Sequence, residues 1–245
     1  MRSTAIILSG GSGKRFGSEV PKQYLEVCGK QILAYAVEAF EHSIVDEIVI
    51  VAADAYLETC RQMVQAGGYT KVKAVIPGGA ERYDSVRKGL LYIMEEKGTD
   101  VVLIHDGARP LIRPETIREI LLEVQEHGAA IAAAPCTDTI KIAGEDGCIT
   151  GTTERRRTWA AQTPQAFSAQ EIFQAYEMII GNGQQEGRSL TGITDDAMVY
   201  QEAFPGRPVK LVNAGSGNFK ITAPEDIFRM EGIVRRSHEN RDKEA

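Results

Sequence analysis

At 245 residues, with 43% hydrophobic and 25% charged residues, the chain suits one large domain or two small ones and has the make-up of an ordinary soluble globular protein. Its formal net charge of -6 argues against nucleic-acid binding by bulk electrostatics, though not against a local basic pocket for a small anion. The opening apolar run is too short for a secretory signal, no stretch approaches the ~18 apolar residues of a membrane helix, and the four cysteines lack C-x-x-C spacing, so neither zinc nor a disulfide framework is indicated; buried or half-buried thiols and a cytoplasmic location are expected.

Residues 4–8 form a short apolar run of the kind that makes a buried strand. It empties into Ser9-Gly10-Gly11-Ser12-Gly13-Lys14-Arg15-Phe16-Gly17 and then Pro21-Lys22-Gln23-Tyr24-Leu25. Gly11, Gly13 and Gly17 can turn the backbone where a side chain would clash, and Arg15 and Lys22 add cations, so the loop can hold a polyphosphate. It fits neither common phosphate-loop pattern: Lys14 is followed by Arg15, and Gly13 and Gly17 have three residues between them where the dinucleotide fingerprint has two. Its place after a first strand is where α/β sheets bind ligands.

Further strands are predicted at 46–52, 71–76, 101–104 and 129–134, as continuous apolar runs suited to a parallel sheet covered on both faces. Helices are predicted at 80–96, at 114–127 with Pro114 at the first helical position, and at 168–180 and 224–236. This alternation predicts a doubly wound α/β fold with a mostly parallel sheet, one domain over residues 1–245. Residues 136–157 break the rhythm: two short strands around Asp146-Gly147 read as a projecting β-hairpin arm that packs on another subunit. The polar tail from Arg235 is expected to fray.

His105-Asp106-Gly107-Ala108-Arg109-Pro110 follows a strand, so Asp106 can hold a metal or a substrate hydroxyl and Arg109 a phosphate; an Asp–Arg pair stabilising the loop is the alternative. Gly78-Gly79 precedes a helix carrying Ser85 and permits close approach of a flat base or an anion. Arg155-Arg156-Arg157 reads as a charge run where the arm returns, and Thr163-Pro164-Gln165 as a kinked connection. Thr194 reads as a helix N-cap and Lys220 as an isolated lysine in an apolar strand. The four histidines form no cluster, and no Ser-His-Asp or Cys-His arrangement is present, so hydrolysis through a covalent intermediate is poorly supported. Scattered cations at strand and loop ends suit phosphate chemistry done by positioning and charge stabilisation with a divalent ion.

Together the first loop, Gly78-Gly79 to Ser85, residues 105–110, Asp138-Thr139-Ile140-Lys141, Gln162-Thr163-Pro164-Gln165, Thr194-Asp195 and Lys220-Ile221-Thr222 resemble, in order and spacing, the 2-C-methyl-D-erythritol 4-phosphate cytidylyltransferases of non-mevalonate isoprenoid biosynthesis. The resemblance implies a Rossmann-like nucleotidyltransferase fold and an attack of the substrate phosphate on the α-phosphorus of CTP. A phosphate monoester has a second pKa of about 6, so no general base is needed. It implies CTP on Gly10, Gly11, Gly13, Gly79, Ser85 and Thr163, and transition-state cations at Arg15, Lys22 and Lys220. It implies the sugar phosphate on Asp106, Arg109, Thr139, Thr194 and Lys220, with Mg²⁺ on the CTP phosphates and Asp106 close by. Arg155 matches an arm arginine that reaches the neighbouring subunit's site, making the active unit a homodimer.

Two departures bear on the acceptor. Ser9-Gly10-Gly11 stands where the family usually has Ala-Ala-Gly, and Asp106-Gly107-Ala108-Arg109 where it usually has Asp-Ala-Ala-Arg. A sister family, the ribitol 5-phosphate cytidylyltransferases, has a Gly-Gly first loop, whereas Ala108 and Lys141 favour methylerythritol. A catalytically silent nucleotide-binding protein on the same fold is the third reading. The chain stops where fused members continue into a cyclase domain, so a single activity is expected.

Overall fold

The first strand shows why the apolar runs are continuous. Ala5 and Ile7 pack into one core layer while Ile6 and Leu8 pack into another, and all four are buried. A strand sends alternate side chains to opposite faces, so helices on both faces demand apolar residues at every position.

The computed structural model describes residues 1–11, 16, 20–96, 98–187 and 189–244. The chain begins with strand β1 (Ser3–Ser9), a small ribbon of β2 (Glu26–Val27) and β3 (Lys30–Gln31), helix α1 (Ile32–Glu41), β4 (Glu47–Ala52) and α2 (Leu57–Gly67). Then come β5 (Val72–Pro77), α3 (Arg82–Glu96), β6 (Val101–Asp106), α4 (Pro114–His127) and β7 (Ala129–Pro135). A hairpin of β8 (Lys141–Ala143) and β9 (Ile149–Thr152) is followed by β10 (Trp159–Ser168), α5 (Ala169–Tyr176) and the single-turn α6 (Asn182–Gln185). The chain closes with α7 (Asp196–Ala203), β11 (Lys210–Asn213) and α8 (Glu225–Glu244).

Seven strands form one sheet in the order β11-β7-β10-β6-β1-β4-β5. Every neighbouring pair is parallel except those of β10, which runs antiparallel between β6 and β7. On one face α1, α2 and α4 bury residues such as Phe40, Cys60 and Ile120; on the other, α3, α5 and α7 bury Leu90, Tyr176 and Tyr200. Helix α8 packs Met230 and Val234 with Val27, Ile32 and Ile221 in a third cluster. The strands predicted at 4–8, 46–52, 71–76, 101–104 and 129–134 and the four predicted helices are present, and the arm is a separate two-stranded sheet with its turn at Gly147 in the left-handed region, φ 77°.

Four expectations need correction. Thr163-Pro164-Gln165 is no connection but the middle of β10, where the register shifts between Ala161 and Gln165 and accommodates the proline. Lys220 lies in irregular chain between β11 and α8, not in a strand. The tail is helical to Glu244. Of the cysteines, all unpaired, Cys60 is buried and Cys136 half-buried as expected, but Cys28 and Cys148 are exposed.

Candidate active site

The carboxyl ends of β1 and β6 lie side by side, with Leu8 paired to Asp106 in the parallel register. That is where a parallel sheet opens, and a cleft of about 380 Å³ lies there. Gly10, Gly11 and Lys22 come to it from the first loop, Gly79, Arg82 and Ser85 from the start of α3, Asp106 and Ala108 from the end of β6, and Lys220 from the chain before α8.

Lys22 is set on a rigid base. It opens a single turn of 3₁₀ helix whose next two residues are buried. The Gln23 amide donates to the carbonyls of Ser9 and Gly11 at 3.0 and 2.9 Å. The Tyr24 hydroxyl lies 2.8 Å from Ser9 Oγ and donates to the Ser9 carbonyl at 3.0 Å, while its ring stacks on Tyr56. These bonds tie the cation to the start of the glycine loop. The loop's Gly13 and Arg15 lie outside the described residues.

The opposite wall is built around Ser85. The Gly79 N–H donates to Ser85 Oγ at 3.0 Å, and the Gly78 N–H to the Ala52 carbonyl at 2.7 Å. A Cβ on Gly78 would meet Ser85 Oγ at 2.9 Å and one on Gly79 would meet Asp84 Cβ at 2.2 Å, so neither glycine has room for a side chain. The wall thereby presents bare backbone to the cleft.

Asp106 sits on the cleft floor with 8% of its surface exposed. Lys220 Nζ donates to its Oδ2 at 2.7 Å and Arg82 Nε to its Oδ1 at 3.2 Å. Burial by itself would raise this carboxyl's pKa; the two cations outweigh it and hold the group well below the usual carboxylate range. The backbone N–H of Asp106 donates to Thr163 Oγ1 at 3.0 Å. His105 beneath it is fully buried, with Nε2 3.0 Å from the Arg109 carbonyl and Nδ1 3.1 Å from Thr163 Oγ1. A carbonyl only accepts, so Nε2 carries the proton and Nδ1 accepts from the threonine hydroxyl. Burial lowers the His105 pKa to about 4, which keeps the ring neutral near pH 7.

The chain carrying Lys220 is pinned at two points. Ile221 N–H donates to the Ala108 carbonyl at 2.8 Å, and the Asn218 amide donates to Gln162 Oε1 and the Thr163 carbonyl, both at 2.9 Å.

Other expected residues lie apart. Arg109 does not line the cleft; its Nη1 donates to the Asn218 carbonyl at 2.9 Å, and burial lowers its pKa. Thr139 and Arg155 meet on the arm, where Arg155 Nη2 donates to Thr139 Oγ1 at 2.7 Å. Lys141 bonds Thr152 across the hairpin at 2.9 Å. Thr194 lines a second cavity of about 290 Å³ that shares Glu81 and Arg82 with the cleft. Thr194 is not the N-cap of α7; Asp195 is, accepting from the Met198 N–H at 3.0 Å. Arg82 went unselected in the sequence because an arginine in a helix's first turn reads as a solvated cation.

The two departures from the resembled pattern differ in kind. A Cβ on Gly10 would find its nearest neighbour, Ser85 Oγ, at 3.6 Å, an ordinary contact. A Cβ on Gly107 would meet Leu33 Cδ1 at 2.7 Å and the Leu8 carbonyl oxygen at 2.9 Å. Gly107 is therefore a matter of packing against α1 and β1. Gly107→Ala is expected to destabilise the fold by about 1–3 kcal/mol in denaturant unfolding, whereas Gly10→Ala stays within about 0.5 kcal/mol of the parent. Equal stabilities would show that β6 and α1 give way easily.

Comparison with known proteins agrees over almost the full length. The family model for 2-C-methyl-D-erythritol 4-phosphate cytidylyltransferase matches residues 3–236. The protein of that name from Lachnospira eligens is 46% identical over 226 residues, covering 92% of this chain and 96% of that one. Its namesake from Lachnoclostridium phytofermentans is 40% identical, covering 95% and 96%. Among solved structures, the 4-diphosphocytidyl-2C-methyl-D-erythritol synthase of Anaerococcus prevotii superposes with a TM-score of 0.83 at 26% identity, covering 96% of each chain.

Proposed function

The chain belongs to the 2-C-methyl-D-erythritol 4-phosphate cytidylyltransferase family, and from that premise we propose how its residues carry the reaction. It transfers CMP from CTP to 2-C-methyl-D-erythritol 4-phosphate and releases pyrophosphate, a step of isoprenoid biosynthesis. The observation that supports the assignment of roles is the cleft at the ends of β1 and β6, with Lys22 and Lys220 among its lining residues and bare backbone at Gly10, Gly11 and Gly79.

In this reading CTP lies along the first loop with its base against Gly79 and Ser85. A phosphate oxygen of the acceptor forms the new bond to the α-phosphorus as the bond to the departing pyrophosphate breaks. Lys22, Lys220 and Arg15 hold the negative charge that gathers in the transition state. Thr163 acts from below, fixing the Asp106 backbone and His105. Asp106, Arg109 and Thr194, with Thr139 and Arg155 of the arm, hold the acceptor.

Magnesium, when bound, neutralises triphosphate charge. Both Asp106 oxygens are already engaged by Lys220 and Arg82, which fits an ion held by phosphate and water oxygens with Asp106 only near it. Pyrophosphate release with CTP and Mg²⁺, comparing methylerythritol 4-phosphate with ribitol 5-phosphate, tests the acceptor; release with the first is expected, and a preference for the second would overturn it. The family match and its relatives carry the methylerythritol name and do not favour ribitol phosphate. CTP-dependent thermal stabilisation without turnover would instead support the silent binder.

The working unit in this reading is a cytoplasmic homodimer joined through the arm. Ile142 and Ile149 stand exposed on the hairpin, Ile149 by 67%, and the Arg155–Thr139 pair lies outside the cleft of its own chain. No helix among the described residues is long and apolar enough to cross a membrane. An equal mixture of Arg155→Ala and Lys22→Ala subunits, allowed to exchange, is expected to regain activity at about a quarter of its sites, because each mixed dimer rebuilds one intact site. No regain would sink the cross-subunit role.

A further inference from the structure

Arg82 enters the cleft from the first turn of α3 and is held at three points. Nη1 and Nη2 donate to the two oxygens of Asp196 at 2.8 and 2.7 Å, a forked pair, and Nε donates to Asp106 Oδ1 at 3.2 Å. Asp196 has no solvent exposure and also accepts from the Tyr176 hydroxyl at 2.6 Å. Lys220 takes the other oxygen of Asp106. Two cations and two carboxylates are thus hydrogen-bonded into one cluster, with half-buried Arg109 near enough to act on Asp106 through its charge alone, and only one of the two bonded cations is free to leave. Lys220 has a flexible stem and a single contact with the cluster, whereas Arg82 is clamped by a buried carboxylate.

We propose that Arg82 is a positioning residue: the standing counter-ion that keeps Asp106 in place when Lys220 leaves it for a substrate phosphate. The inference rests on the assignment of Lys220 to the phosphate. A lysine drawn to a polyanion abandons a carboxylate that is nearly buried, and an uncompensated buried charge is strongly unfavourable. Arg82 removes that penalty, and Asp196 prevents Arg82 itself from following the phosphate. Without Arg82, Lys220 is the one cation hydrogen-bonded to Asp106 among the described residues, and the aspartate retains it.

The test is a double-mutant cycle on the full chain, read by steady-state pyrophosphate release. Arg82→Gln/Asp196→Asn removes both charges of the forked pair together, so neither is stranded. Its kcat is expected to fall roughly 10- to 100-fold while KM for CTP stays within about twofold. On a Lys220→Gln background the same pair is expected to change kcat by less than about twofold, since the lysine it frees is gone. Should the pair melt below the assay temperature, Arg82→Lys, which keeps a charge beside Asp196 but shortens the reach to Asp106, is read in the same cycle. Equal losses in both backgrounds, or a rise in KM for CTP with unchanged kcat, would overturn the proposal. Unchanged kcat in Lys220→Gln alone would overturn the assignment of Lys220 and this inference with it, so the two failures are distinguishable.

Discussion

Lys22→Ala is expected to lower the turnover number by roughly 10²- to 10³-fold while leaving the affinity for CTP within a few-fold. The reason is the rigidity of its base. Gln23 and Tyr24 bind the first loop beside it through four hydrogen-bonding contacts at 2.8–3.0 Å, so the ammonium's root is fixed before any substrate arrives. A preorganised cation stabilises charge as it develops at phosphorus more than it stabilises the ground state, and such interactions raise kcat. Single-turnover pyrophosphate release gives the rate and calorimetric titration with CTP gives the affinity. Equal losses in both would reassign Lys22 to simple nucleotide binding, and an unchanged turnover number would remove it from the chemistry.

Asp196→Ala is expected to destabilise the protein by about 3–5 kcal/mol, because it strands the Arg82 guanidinium and leaves the Tyr176 hydroxyl without its acceptor. For a chain of this size the thermal midpoint should fall by roughly 6–20 °C, measurable by calorimetry. In the parent, Asp196 and Asp106 offset the burial of Arg82 and raise its pKa; removing Asp196 takes away the larger share of that support, but a guanidinium does not give up its proton in a protein, so deprotonation offers the stranded arginine no relief. A loss below about 1 kcal/mol would mean that water reaches the vacated space and solvates the arginine.

The sheet was legible in the sequence where a strand buried on both faces carries an unbroken apolar run. β1, β4, β6 and β7 are uninterrupted apolar runs, and helices α3 and α4 show their periodicity. β10 escaped because it contains a proline and four polar residues, which in a central strand argue against the assignment, and the bulge that makes them tolerable is a tertiary fact. β11 escaped because four residues with a lysine and an asparagine carry too little pattern. The cleft was legible at Gly10, Lys22, Gly79, Ser85, Asp106 and Lys220, where glycines or cations follow strands or precede helices. Arg82 and Asp196 were not, because what distinguishes them is a bond spanning 114 positions. Gln23 was missed for a similar reason: an amide that donates to two backbone carbonyls is indistinguishable in sequence from one that faces water.

The order in which the chain is made gives β10 and the chain after it a further meaning. The aspartate on the cleft floor takes its partners from positions 82, 163 and 220, and the arginine among them is anchored at 196. At roughly 5–20 residues per second, the segment between the aspartate and its lysine takes several seconds to emerge. A ribosome-bound chain can lay down β1, β4, β5 and β6 as a parallel core long before then, yet β6 has no partner on its β10 side and the acid no lysine. Nothing short of the nearly full-length polypeptide contains the whole constellation, so a fragment released early has a sheet but no complete centre.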